Sequence, residues 1–278
     1  MSAADKTIVI TGASDGIGAA AARRLSRNGA QVVVVGRSES KTRAVATELD
    51  VDCFVADFTD LSQVRSLAQQ LRSHYPRIDV LANNAGAMTS TLQMTGDGYE
   101  LAYQVNYLAP FLLTTLLLDV LVDSRACVLN TSSASHKLLR KVSAEDLENT
   151  HRVRPSKAYA LTKLGIVLFA KELHRRYHDA GLSVAAFDPG YVDTNFGPAS
   201  GSRFIAIMRR TPVRHLTASA DEGADPLVWL ASGKPGSDWK SGEYYVRQRI
   251  AKANRRADDP DLARELWERS LAVVSRWR

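Results

Sequence analysis

Tyr159 and Lys163 stand four residues apart in the run Ser156-Lys-Ala-Tyr159-Ala-Leu-Thr-Lys163. In a helix, positions i and i+4 share a face, so this spacing sets a phenol beside an ammonium. An isolated tyrosine titrates near about 10, so about one in a thousand is ionised at pH 7. A positive charge about 5 Å away, at an effective dielectric of about 20, favours the phenolate by about 3 kcal/mol, or about two pK units. The expected result is a tyrosine that can give or take a proton near neutral pH. A chain with nine tyrosines can also produce such a pair by chance, so the chemistry depends on what else the chain places around it.

The elements that must carry this pair come in a repeating order. Short apolar, β-branched runs at 7–10, 31–35, 51–56, 78–82, 126–130 and 183–187 read as strands, with helix-length amphipathic segments between them. That alternation predicts an α/β protein with a doubly wound parallel sheet covered by helices on both faces. A short run at 243–246 adds a seventh strand at an edge. No repeat, low-complexity segment or Pro/Gly linker divides residues 1–278, so a single domain is expected. Asp259 before Pro260 reads as an N-cap with proline in the first turn, opening a closing helix over about 260–275 through Leu262, Leu266 and Val273.

Between the first strand and the first helix lies Thr11-Gly12-Ala-Ser14-Asp15-Gly16-Ile17-Gly18. Glycines here let the backbone turn tightly and approach a pyrophosphate, whose charge would rest on amides at the helix N-terminus. The spacing is Gly-x3-Gly-x-Gly rather than Gly-x-Gly-x2-Gly, and a tight turn without ligand is the other reading of such a cluster. After the second strand, where an acidic residue would accept from a ribose 2′-hydroxyl, the chain has Gly36-Arg37-Ser38. A guanidinium there can bind a 2′-phosphate, which favours NADP(H) over NAD(H). Asp15 supplies no second cation.

An apolar content of 45% supports a sizeable core, and the formal charge of +6 permits acidic partners without demanding them. Arginines crowd at Arg203, Arg209, Arg210 and Arg214, and again at Arg247, Arg249, Lys252, Arg255 and Arg256. No nucleic-acid-binding module accompanies them, so no nucleic-acid partner is expected. Cys53 and Cys127 both fall in strand-like runs and read as buried free thiols in a reducing compartment. The N-terminus has no signal-peptide stretch, and a cytoplasmic location follows as the expectation. Phe111 to Val122 is the most apolar segment, but it is too short to span a bilayer and carries Thr114, Thr115 and Asp119. It reads as a core or interface helix, and no integral membrane segment is expected.

Three further clusters follow strands: Asn83-Asn84-Ala85-Gly86, Asn130-Thr-Ser-Ser133, and Asp188-Pro189-Gly190-Tyr-Val192-Asp-Thr194. With these, the chain resembles the short-chain dehydrogenase/reductase family from about Lys6 to the last helix, with the motifs in the family's order. Asp97-Gly-Tyr-Glu-Leu, Val105-Asn106-Tyr-Leu-Ala-Pro-Phe, Ser133-Ala-Ser-His136 and Ala263-Arg-Glu-Leu-Trp267 are most similar to its retinol-dehydrogenase-like branch. The resemblance implies a single dinucleotide-binding catalytic domain of Rossmann type. It implies Tyr159 as general acid in carbonyl reduction and general base in alcohol oxidation, Lys163 on the nicotinamide ribose, Ser133 on the substrate oxygen, and Asn106 holding a proton-relaying water. For the cofactor it implies Gly12, Ser14, Gly16, Ile17 and Gly18 at the phosphates, Asp57 and Phe58 at the adenine, and Asn83 at the adenine-side ribose. Ala85, Gly86, Pro189 and Gly190 would line the cofactor, with Val192 and Thr194 on the carboxamide.

The same resemblance places a substrate lid over about 191–222, where Phe204, Ile205, Ile207 and Met208 stand among arginines. These could cover an apolar substrate or rest on a membrane surface. His136 either lines the pocket or caps a loop. His174 and His178 lie four apart on a helix but lack a zinc-protease glutamate, so a solvated face is expected and no metal. The sequence thus points to an NADP(H)-dependent oxidoreductase acting on a small or medium lipophilic carbonyl or alcohol, and it is compatible with a homo-oligomer. A 3-oxoacyl thioester reductase working with an acyl carrier, and a non-catalytic NADP(H)-sensing regulator, are the rival readings.

Overall fold

The valines of the second strand-like run have no polar face to offer water, and the structure buries them on both sides: Val32, Val33, Val34 and Val35 are at most 1% exposed. The computed structural model describes residues 3–190 and 219–278. Within them the strands are β1 (Thr7–Thr11), β2 (Gln31–Gly36), β3 (Cys53–Val55), β4 (Val80–Asn83), β5 (Cys127–Thr131), β6 (Ser183–Asp188), β7 (Glu243–Val246) and β8 (Arg249–Ile250). They form one eight-stranded sheet in the order β3-β2-β1-β4-β5-β6-β7-β8. Every pair through β7 is parallel, and only β8 runs antiparallel, opposite Tyr245 and Val246.

The eighth strand adds to the expected seven. Arg247 and Gln248 both have positive φ, 48° and 61°, and so form the kind of two-residue turn that joins antiparallel strands. That turn usually announces itself through Asn-Gly or Asp-Gly, and this one lacks both residues. Cys53 is half-buried rather than buried, and Cys127 is buried; both are free thiols.

Helices cover both faces. On one side α1 (Gly16–Arg27) and α2 (Glu39–Leu49) pack against Ile8, Ile10, Val32 and Val34. On the other, α3 (Leu61–His74), α4 (Ala109–Leu116) and the 23-residue α5 (Pro155–Tyr177) pack against Val9, Val33 and Leu81. Further along, α6 (Ala220–Ser232) returns to the first face and α7 (Pro260–Val273) to the second. The apolar segment at 111–122 divides between α4 and a short helix at Leu118–Asp123. Among the described residues no helix is long and apolar enough to cross a membrane.

The reversal between β1–β2–β3 and β4–β5–β6 opens a crevice outside the carboxyl ends of β1 and β4, the place where doubly wound sheets bind ligands. The helix α5 packs closely on the helical turn at Gln104–Leu108, and Gly165 permits this: a Cβ there would stand 3.1 Å from the Tyr107 ring. The Tyr107 hydroxyl in turn pairs with Ser270 of α7 at 2.8 Å. Trp267 of α7 stacks on Phe169 of α5 at 5.9 Å and meets the edge of Phe111 at 5.1 Å. Asp259 caps α7 by accepting from the N–H groups of Asp261 and Leu262. The closing helix therefore clamps the element that carries Tyr159 and Lys163. Trp267→Ala is expected to cost about 3–5 kcal/mol, the range for emptying a buried aromatic site. Urea unfolding reads this directly, and a loss below about 1 kcal/mol would show that the clamp is not Trp267.

Candidate active site

The crevice begins at the glycine turn. Gly12 has φ +66°, and a Cβ on it would fall 2.7 Å from the Ala85 Cα; one on Gly18 would fall 2.3 Å from the Gly12 carbonyl oxygen. Neither position tolerates a side chain, which brings bare backbone to the crevice floor. Gly16, at φ +54°, opens α1, and Asp15 caps it by accepting from the Gly16 N–H at 2.8 Å. The first-turn N–H groups of Ile17 and Gly18 have no carbonyl before them to bind, as at any helix start. A side-chain-free cradle with free amides at a helix N-terminus fits a dinucleotide pyrophosphate.

Thr11 and Asn84, which spacing alone does not single out, stitch the strand ends together. The Thr11 hydroxyl donates to the Ala82 carbonyl at 3.2 Å and accepts from the N–H groups of Asn84 and Ala85, each at 3.0 Å. The Asn84 amide donates to the Thr11 carbonyl at 3.1 Å, and Thr131 donates to the Asn84 oxygen at 3.2 Å. Asn83 turns inward, donating to Thr114 at 3.1 Å and Asn130 at 3.0 Å, while its own buried oxygen has no partner among the described residues. Gly36 closes β2 against Ser14, whose Cβ lies 2.8 Å from where a Gly36 Cβ would be.

Beyond Gly36, Arg37 is exposed, and Ser38 is half-buried with its hydroxyl 3.3 Å from that of Ser40. The cation that Asp15 itself could not provide arrives by folding: Lys41 bonds the Asp15 carboxylate at 2.8 Å and holds it below the ordinary range. After β3, the Asp57 carboxylate accepts from the Thr59 N–H at 2.9 Å, and buried Phe58 offers its carbonyl to Gln104 at 3.2 Å. Gly86 is half-buried in the loop after β4, and Pro189 and Gly190 follow β6. Val192, Thr194 and the expected lid up to 218 lie outside the described residues.

Four side chains gather beyond β4 and β5. Asn106 sits in a π-type turn at Gln104–Leu108, accepting from the Ala87 N–H at 2.6 Å and donating to Ala87 and Thr162 at 2.9 and 3.2 Å. Ser132 is buried and donates to the Lys163 carbonyl at 2.8 Å, which leaves the more open Ser133 for the Tyr159 hydroxyl. The Lys163 ammonium, 2% exposed as a residue, lies 5.6 Å from the Tyr159 ring centre and donates to the Thr131 carbonyl at 2.9 Å.

The proton balance differs from the sequence expectation. Burial pushes Tyr159 up to about 12; its hydrogen bond to Ser133 pulls the other way, and the Asp188 carboxylate adds to the rise. Burial likewise pushes Lys163 down to about 8, opposed by Asp188. The four-residue spacing brings cation and phenol together, but desolvation is the largest influence on each of them. At neutral pH the pair is therefore a phenol and an ammonium, the protonated forms that carbonyl reduction starts from.

Three histidines that the sequence singles out lie outside the Ser133–Tyr159–Lys163 cluster itself. His136 is fully buried beside Tyr244, with ring centres 5.0 Å apart, and burial pushes it down to about 4. Among the described residues neither ring nitrogen has a partner, and its main-chain carbonyl accepts from Asn254 at 2.7 Å. His174 bonds Ser241 at 2.9 Å and His178 the Leu182 carbonyl at 3.2 Å.

Residues 6–203 match the family described as short chain dehydrogenase. A Streptomyces sp. (strain C5) protein named as a daunorubicin C-13 ketoreductase is 40% identical over 97% of this chain and 92% of its own. Human retinol dehydrogenase 13 is 34% identical over 97% of this chain and 84% of its own. Among solved structures, a short chain dehydrogenase from Escherichia coli CFT073, complexed with NADPH, is 27% identical with a TM-score of 0.68, covering 87% of this chain and 96% of its own. With this match across most of the chain and the glycine turn, sheet order and Ser-Tyr-Lys cluster described above, the chain belongs to the short-chain dehydrogenase/reductase family of nicotinamide-dependent oxidoreductases, in its retinol-dehydrogenase-like branch.

Proposed function

We propose that this protein uses NADP(H) to interconvert a carbonyl and an alcohol on a small or medium lipophilic molecule, with Tyr159 moving the proton. The observation that carries this reading is the convergence of Ser133, Tyr159 and Lys163 beside the glycine cradle. Relatives named for daunorubicin, retinol and polyprenol support a lipophilic substrate. Two free thiols support a cytoplasmic setting.

Gly12, Ser14, Gly16, Ile17 and Gly18 would hold the cofactor phosphates, Asp57 and Phe58 the adenine, Asn83 the adenine-side ribose, and Lys163 the nicotinamide ribose. Ala85, Gly86, Pro189 and Gly190 would line its length, and Val192 with Thr194 would orient the carboxamide. Arg37 supports NADP(H): it is an exposed guanidinium at the end of β2, and the neighbouring Asp15 charge is already matched by Lys41. The cofactor supplies the hydride chemistry. The protein's part is the oxygen. Ser133 donates a hydrogen bond to it and Tyr159 donates the proton, while the Lys163 ammonium stabilises the tyrosinate left behind. With its side chain committed to Ala87 and Thr162, Asn106 would hold the proton-relaying water through its main chain, where Pro110 four residues on has no N–H to compete for the carbonyl.

Tyr159→Phe should lower turnover about 10²- to 10⁴-fold in an NADPH-absorbance assay over aldehydes, ketones and quinones, with NADPH binding retained. Unchanged turnover in the variant would end the assignment. Arg37→Ala should weaken NADPH by about tenfold or more, the worth of lost charge-assisted hydrogen bonds, and leave NADH nearly unaffected. Equal losses for the two cofactors would argue against NADP(H). For reduction, kcat/KM should hold level at neutral pH and fall as pH rises through about 8, where Lys163 gives up its proton and the positive charge behind Tyr159 disappears. A profile that rises across that range would contradict proton donation by this pair.

A further inference from the structure

Asp188 ends β6 with 7% of its surface exposed. Its carboxylate joins two turns at the crevice. One oxygen accepts from the N–H of Ala134, the residue after Ser133, at 2.8 Å, and is reached by the Tyr244 hydroxyl at 3.4 Å. The other accepts from the Gly190 N–H at 2.8 Å. Sheet register also brings Asp188 near the buried ammonium. Lys163 donates to the Thr131 carbonyl, Thr131 is level with Phe187, and the Ser132 N–H bonds the Phe187 carbonyl at 2.7 Å. Asp188 is the next residue along β6.

We propose that Asp188 is an electrostatic positioning residue for the reaction proposed above: one buried carboxylate that orients the turn carrying Ser133 and keeps the proton on the Tyr159–Lys163 pair until a substrate oxygen takes it. The idea rests on that reading of the site. Two backbone N–H bonds fix the charge in place, so it cannot swing away to water, and a fixed charge in a dry setting acts strongly on its neighbours. Among the described residues, the titratable groups that interact with it are Tyr159 and Lys163 from α5 and Tyr244 from β7, and Tyr244 in turn is flanked by His136 and Lys137 from the turn after Ser133. Both members of the α5 pair feel the carboxylate, each in the direction of holding its proton. Burial pushes Tyr244 far above the ordinary phenol range, and burial keeps His136 uncharged at neutral pH. Lys137 lies over the Tyr244 ring at 5.7 Å. None of these replaces the negative charge of Asp188.

The sign is definite. A negative charge favours the phenol over the phenolate and the ammonium over the amine, so removing it lets both protons leave at lower pH. The test compares pH profiles of kcat/KM for reduction and for alcohol oxidation in wild type, Asp188→Asn, Asp188→Glu and Tyr159→Phe, with the NADPH Kd measured alongside. Asp188→Asn should move both profiles to lower pH by about one unit, a tenfold change in proton affinity, with the NADPH Kd within about twofold of wild type. Asp188→Glu, which keeps the charge, should stay within a few tenths of a unit of wild type even where kcat falls. A purely structural role would lower the rates at every pH and leave the midpoints in place, and that result overturns the proposal. Asp188→Ser replaces the Asn variant if circular dichroism shows the latter unfolded; loss of fold in both would assign Asp188 to structure alone and equally overturn it. These failures leave wild-type turnover and its dependence on Tyr159 intact, whereas a wild type that never turns over would sink the proposed function itself.

Discussion

The buried ammonium of Lys163 is the constraint around which this end of the molecule is arranged. Taking a cation out of water is expensive, and the cost appears as its lowered proton affinity. What offsets that cost is tied to the ends of β5 and β6: the Thr131 carbonyl accepts from the ammonium, and the Asp188 charge opposes the loss of its proton. The site thus holds its charge where strand ends can be placed within a fraction of an ångström by neighbouring strands, rather than on a free loop.

The rest of the crevice follows the same rule of holding active groups by backbone. The Thr11 hydroxyl binds the main chain of β4 and of the loop after it, Asn84 links β1 to β5, and Asn106 fixes Ala87 to α5 through Thr162. Because each hydrogen bond joins elements distant in sequence, a displacement at one strand end is transmitted to the others. Gly12, Gly18 and Gly165 are the points where this tightness needs a missing side chain. Packing of Trp267 of α7 on Phe169 then holds α5, the helix that carries Tyr159 and Lys163, in place.

Much of this was readable from residue order. The strand runs recur within a residue or two of their expected places, and the glycine turn, the Asn-Asn turn and the serine pair all fall at carboxyl ends of strands. Local patterns show such features because a strand buried on both faces must be apolar and a close turn must lack a side chain. Where reading failed, long-range geometry was at work. The β8 hairpin has a turn without glycine or asparagine, and the cation beside Asp15 comes from Lys41, 26 residues on. The bonds of Asp188 to Ala134 and Gly190 are also hidden, since the motif before Pro-Gly does not show them until its neighbours across the sheet are known.

The sequence by itself determined the doubly wound α/β order, the glycine cradle, and the pairing of a phenol with an ammonium on one helical face, because each depends on spacing within a single segment. Only the tertiary structure decided the proton balance of that pair. Desolvation depends on what packs around each group, and the charge of Asp188 reaches them from the end of β6: both raise Tyr159, while on Lys163 they oppose each other and desolvation is the larger.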